Sequence, residues 1–169
     1  METIKKSSKI AANIAKVFRT FCIIGIVFCV LGAVCGFAMN GYINQYYQNA
    51  DNIIAAQSSL DADMGIFSFL PFDSLKEAGN YGIFFALQLL CLVIILCAYL
   101  YLFSVFKTAL ENIRDTGRAY SEEDAANAKK KYIIVTVFIL LFNGVFEAVV
   151  AGILLCGLYN VTFVSEREI

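Results

Sequence analysis

The sequence predicts an all-α integral membrane protein with three transmembrane helices, an external amphipathic helical segment and a cytoplasmic helical hairpin. Three observations carry this reading. The 169 residues are 60% hydrophobic and only 16% charged, with a mean hydropathy of +0.72. A soluble domain is about half apolar and about a quarter charged, so the excess must face something other than water. The apolar residues also fall in runs long enough to cross a bilayer. Finally, the segments between those runs alternate in charge.

A span needs about 20 mostly apolar residues. The first, at about 18–40, is built on FCIIGIVFCVLGAVCGFAM (Phe21–Met39). The second, 81–106, contains no charge. The third, 132–159, is interrupted only by Asn143 and Glu147. Dividing it in two leaves about 10 residues on either side, too short to cross, so it is read as one helix. All of 1–169 forms a single membrane domain. The basic start of the chain would also suit a cleaved signal peptide, but the apolar core of span 1 exceeds the usual 7–15 residues of such a peptide.

Charge gives direction. Lys5, Lys6, Lys9, Lys16 and Arg19 precede span 1. Asp51, Asp61, Asp63, Asp73 and Glu77 lie between spans 1 and 2, against Lys76 alone. Six basic residues, including the run Lys129–Lys131, separate spans 2 and 3. Lysine and arginine mark the cytoplasmic side. The N-terminus and 107–131 are therefore expected inside, and 41–80 and the C-terminal tail outside. Tyr42, Tyr46, Tyr47, Tyr81 and Tyr159 would then share the outer interface, where amphipathic rings are favoured.

The connecting segments have their own patterns. Ile43, Tyr46, Tyr47, Ala50, Ile53, Ile54 and Leu60 recur at helical spacing, which predicts an amphipathic helix in the external segment. MGIFSFLPF (64–72) is apolar enough to act as a lid on the helices. Ser74 and Glu77 match a capping box, and Gly79 and Gly82 bracket the turn into span 2. In 107–131, the helix of span 2 should continue through Asp115 and stop at Gly117, the natural left-handed position. Ser121 should cap the next helix, with Glu122, Glu123 and Asp124 in its first turn.

ENIRDTGRAYSEEDAANAKKK, lying between two spans, resembles the cytoplasmic segment of a family of small bacterial multi-span membrane proteins of unknown function. The matching positions are Asn112, Ile113, Gly117, Tyr120, Ser121, Glu123 and Asp124. The resemblance covers about 20 residues and the flanking hydrophobic pattern. It implies a bacterial cytoplasmic membrane and no known activity. That family usually has four spans, against the three counted here.

Two sets of side chains stand out within the spans. Cys22, Gly25, Cys29, Gly32 and Gly36 form a stripe of small residues along span 1. In lipid, small residues let helix backbones approach and gain dispersion contacts. The stripe is read as a helix-packing groove whose partner is span 2, span 3 or another copy. The second set is polar. Asn143 and Glu147 stand four apart and would be neighbours on one helix face, and Gln88 lies at similar depth in span 2. An acidic side chain facing lipid at mid-helix costs about 2.5–3.5 kcal/mol on insertion scales. Glu147 is therefore expected to face the bundle, hydrogen-bonded to Gln88 or Asn143.

Several chemistries find no support. The chain has no His, which removes the commonest general base and metal ligand. The six cysteines, Cys22, Cys29, Cys35, Cys91, Cys97 and Cys156, form no CxxC pair and read as packing residues, with a Cys35–Cys156 disulfide as the alternative. No hydrolase or metalloprotease motif is present. No enzyme activity, cofactor or metal is expected, and a net charge of −1 gives no reason to expect nucleic acid. The expected partners are the lipid bilayer and either further copies of the chain or another membrane protein. The sequence reads best as an accessory or regulatory partner of another membrane component. The alternative is a homo-oligomeric channel or transport component, with Glu147 and Gln88 lining an ion- or proton-sensitive site.

Overall fold

The computed structural model describes residues 2–49, 67, 70–120, 124–142 and 144–164; of 2–5, 49, 142 and 160–164 it describes the backbone alone. Among the described residues the chain is all-helical. The helices are α1 (Glu2–Ala38), α2 (Asn40–Asn49), α3 (Phe72–Glu77), α4 (Tyr81–Thr116), α5 (Ala125–Phe142) and α6 (Val145–Val164). Two helices are long and apolar enough to cross a membrane, over Lys6–Ala38 and Tyr81–Thr116. At about 1.5 Å per residue, each exceeds the roughly 30 Å hydrocarbon thickness. Only 22% and 17% of their apolar stretches are buried within the chain, so neither is the core helix of a water-soluble fold.

Two compact units are present: Ile24–Ile95, and Met1–Ile23 together with Leu96–Ile169. Both α1 and α4 pass from one unit to the other without a break.

In the Ile24–Ile95 unit, α1 and α4 cross at glycine. A Cβ on Gly36 would stand 2.9 Å from the carbonyl oxygen of Gly82, and one on Gly82 would stand 2.6 Å from the Cα of Asn40. Backbone meets backbone here, which only glycine permits. The N-terminus of α4 leaves amide groups without helical partners, and the preceding helical segment supplies acceptors. Asn40 Oδ1 accepts from the Ile83 amide at 3.1 Å, and Asn44 Oδ1 accepts from the Gly82 amide at 3.2 Å. Aromatic rings fill the same end. Tyr47 lies 5.2 Å from Tyr81 and 5.6 Å from Phe85, while Phe72 meets Phe84 edge-on at 5.7 Å. Phe67 and Phe72 are buried. Lys76 Nζ stands 5.1 Å from the centre of the Phe84 ring.

Two expectations change here. Ser74 is inside α3, which starts at Phe72 after Pro71 with no side-chain cap hydrogen bond; the fixed φ of proline starts the turn three residues earlier than the capping box suggests. Gly82 is a helix residue at the close crossing, and the turn before α4 falls on Gly79, at φ +69°. Ile53, Ile54 and Leu60 of the external segment lie outside the described residues, as does the cap Ser121 with Glu122 and Glu123.

In the other unit, α4 ends at Thr116 and Gly117 follows at φ +79°. The third expected span is not one helix. α5 ends at Phe142, Gly144 takes φ +113°, and α6 begins at Val145. The chain then folds back. A Cβ on Gly152 would stand 3.5 Å from Thr136 Cγ2, so residues eight positions either side of Gly144 are neighbours. Ala128, Tyr132, Val135 and Ile139 of α5 share one buried core with Ala148, Ala151 and Leu155 of α6 and with Leu102, Ala109 and Ile113 of α4. The spacing of three and four puts each set on one helix face. Val135, Ile139 and Leu155 are each 1% exposed, whereas Val145 and Phe146 at the turn are 69% and 77% exposed.

Candidate functional site

The small-residue stripe is used inside the chain. In the Ile24–Ile95 unit, Gly32 and Gly36 face α4, with Leu89 against the first and Gly82 and Ala86 against the second. Cys29 and Ala33 are buried, and Gly25 is half-buried. Cys22 is buried in the other unit. At Gly32 and Gly36 the neighbour is span 2. All six cysteines are free thiols.

Of the expected polar trio, Gln88 and Glu147 are among the described residues. Gln88 belongs to one unit and Glu147 to the other, and Asn143 lies outside the described residues. Glu147 is exposed, in the first turn of α6. Its Oε2 lies 3.3 Å from the position a Cβ on Gly144 would take, so the carboxylate folds back over the turn. The face-sharing argument needs an unbroken helix, and the helix breaks between Phe142 and Val145. An acid in the first turn of a new helix meets the positive end of its dipole. Asn-Gly is itself a strong turn dipeptide, and with Glu147 three residues after Gly144 it is a stop-and-restart signal.

Tyr159 also changes company. It stacks on Tyr120 with ring centroids 5.1 Å apart, and the Tyr120 hydroxyl donates to the Tyr159 carbonyl oxygen at 2.8 Å. It therefore lies beside the 107–131 segment.

A cleft of about 530 Å³ between α4 and α5 is lined in part by polar side chains of this unit. Ser104, Thr108 and Asn112 line it from α4, at steps of four that put them on one helix face. Lys130, Lys131 and Asn127 line it from α5. The Thr108 hydroxyl donates to the Ser104 carbonyl oxygen at 3.0 Å. Asn112 Nδ2 donates to the Ala119 carbonyl oxygen at 3.0 Å and ties the turn to α4. Asp124 also borders the cleft. On the exposed side of the same helix end, Lys107 pairs with Glu111 at 3.5 Å. Arg114 pairs with Asp115 at 2.7 Å, and this carboxylate raises the guanidinium above its ordinary pKa. Among the described residues, no three His, Cys, Asp or Glu side chains converge as metal ligands would. Sequence reasoning passed over this cleft, although the Ser104–Thr108–Asn112 stripe opposite the lysine run was its legible sign.

No protein-family profile matches the chain, and no curated protein or solved structure matches it either.

Proposed function

We propose that the chain is a small multi-pass membrane protein that acts as an accessory or regulatory partner of another membrane component and performs no chemistry of its own. The observation that carries this is the distribution of surface. Val27, Phe28, Leu31 and Val34 of α1 and Val149, Ile153 and Leu154 of α6 are exposed. Burying such a side chain is worth about 1.5–3 kcal/mol, so their exposure suits lipid or the apolar helices of a partner. Polar side chains gather instead at the lysine-rich end, where a cytoplasmic partner can reach them. A pore has less support. Between Phe21 and Met39, α1 offers no polar side chain to line one, and Glu147 is at a turn.

The lysine and arginine distribution puts the N-terminus and 107–131 on the cytoplasmic side, and the resemblance alone suggests a bacterial cytoplasmic membrane. The fold-back at Gly144 changes the expected topology of the tail. The apolar part of α5, Tyr132–Phe142, is about 16 Å long at about 1.5 Å per residue, and Val145–Tyr159 of α6 is about 22 Å. A hairpin of these arms enters from the cytoplasmic side and returns to it, which brings the C-terminus inside.

Native mass spectrometry of the full chain, gently extracted from its host membrane, tests the reading. A defined hetero-complex of constant stoichiometry is the expected result. A symmetric single-component ring would favour the channel, and a monomer throughout would overturn the accessory role.

A further inference from the structure

The cleft between α4 and α5 has the size and the chemistry of a ligand site. Its volume of about 530 Å³ falls within the roughly 300–1,000 Å³ of small-molecule sites. Its character changes along its length. Asn112 on α4 and Asp124 before α5 are the lining residues nearest the segment that joins the two helices, Thr108 and Asn127 come next along each helix, then Ser104 on α4 with Lys130 and Lys131 on α5, and Tyr101 and Ile134 lie farthest along their helices from that segment. Tyr101 and Ile134 are exposed and lie within the apolar runs of their helices. The lysines are exposed as well. Among the described residues two ammonium groups stand against one carboxylate, which favours an anion, and the apolar end favours a ligand with a hydrocarbon tail.

We propose that this cleft binds the headgroup of an anionic glycerophospholipid. The phosphodiester takes the Lys130 and Lys131 ammonium groups and the Ser104 hydroxyl. Headgroup hydroxyls reach Asn127 and Asp124. The first part of an acyl chain lies over Tyr101 and Ile134. Basic recesses between helices at the cytoplasmic interface are suited to such headgroups, because the leaflet is anionic and the site's charges lie at headgroup depth. The inference rests on the chain being membrane-embedded, but it does not depend on a protein partner.

The test uses the purified full chain reconstituted into bilayers of phosphatidylcholine and phosphatidylglycerol in equal parts, with retained lipid counted by native mass spectrometry. Wild type should keep phosphatidylglycerol in preference to phosphatidylcholine. Lys131→Gln should lower that retention about fivefold, the factor equivalent to roughly 1 kcal/mol per basic residue, and Lys130→Gln/Lys131→Gln should lower it further. Lys129→Gln removes the same charge at the same membrane surface, but Lys129 does not line the cleft, and it should change retention less than twofold. An equal fall in Lys129→Gln and Lys131→Gln would mean diffuse attraction and overturn the site, as would retention unchanged in every variant. Stripping of the bound lipid by millimolar inorganic phosphate would identify a soluble phosphate ester as the ligand and overturn the lipid assignment. A chain that retains lipid but has no partner sinks only the accessory reading. A chain that does not enter the bilayer sinks the membrane reading on which both rest.

Discussion

Tyr120 and Tyr159, thirty-nine residues apart, are joined by a 2.8 Å hydrogen bond from a hydroxyl to a carbonyl oxygen, beneath rings stacked 5.1 Å apart. This contact closes the open end of the α5–α6 hairpin against the turn that leaves α4. Tyr120→Phe keeps the ring and removes the hydrogen bond, and should cost about 0.5–1.5 kcal/mol. Tyr120→Ala also removes the stacked surface and should cost about 3–5 kcal/mol. Thermal unfolding in mild detergent, followed by circular dichroism, reads both; equal effects would mean that the hydroxyl carries the whole interaction.

The hairpin makes a topological prediction. A protease-cleavable tag after Ile169 and one inserted at Gly117 should be protected or cleaved together in sealed, oriented vesicles. Cleavage of one tag with protection of the other would restore a single 132–159 span.

The crossing of α1 and α4 should be intolerant of any side chain at Gly82. Gly82→Ala puts a Cβ within 2.6 Å of Asn40 Cα, a backbone atom that cannot swing away, and overpacking of this kind costs about 1–3 kcal/mol. Gly41, close by in α2, is exposed and has nothing within 4 Å of its Cβ position. Gly41→Ala should stabilise by up to about 1 kcal/mol through helix propensity alone. The pair of unfolding curves should therefore move in opposite directions.

Asn40 links α2 to the first turn of α4 through its side-chain oxygen. Asn40→Ala leaves the Ile83 amide without that acceptor and should cost about 0.5–2 kcal/mol. Hydrogen exchange should quicken at the start of α4 in this variant while the α5–α6 core stays protected; uniform quickening would contradict a local cap.

At the other turn, Glu147→Gln should lower stability by only about 0.3–1 kcal/mol, the usual value of an acid near a helix N-terminus. Gly144→Ala should cost more, about 1–3 kcal/mol, because φ +113° is strained for any residue with a Cβ. If Glu147→Gln were the more damaging change, the carboxylate would have a buried partner after all.

Much of the architecture was legible because it follows from one-dimensional chemistry. Long apolar runs can only be helices that avoid water, and Gly117 must end the helix that precedes it. The small residues at steps of three and four had to lie on one face of α1. Their partner was not legible, since a groove is equally smooth to span 2, span 3 or a second copy. The backbone contact between Gly36 and Gly82 decided it. The break in 132–159 was not legible for a related reason: its apolar pattern suits one continuous helix, and it is the positive φ of Gly144 that divides it.

The sequence by itself determined that this chain is helical, that it holds runs long and apolar enough to cross a membrane, and that its basic residues gather at the segments flanking them. Those properties depend on composition and period, which do not require knowing what touches what. Only the tertiary structure decided that 132–159 doubles back, that Tyr159 joins Tyr120, and that Ser104 and Thr108 face Lys130 and Lys131 across a cleft. Each depends on the direction the chain takes after a turn, and the positive-φ backbone at Gly144 and Gly117 sets that direction for the residues that follow.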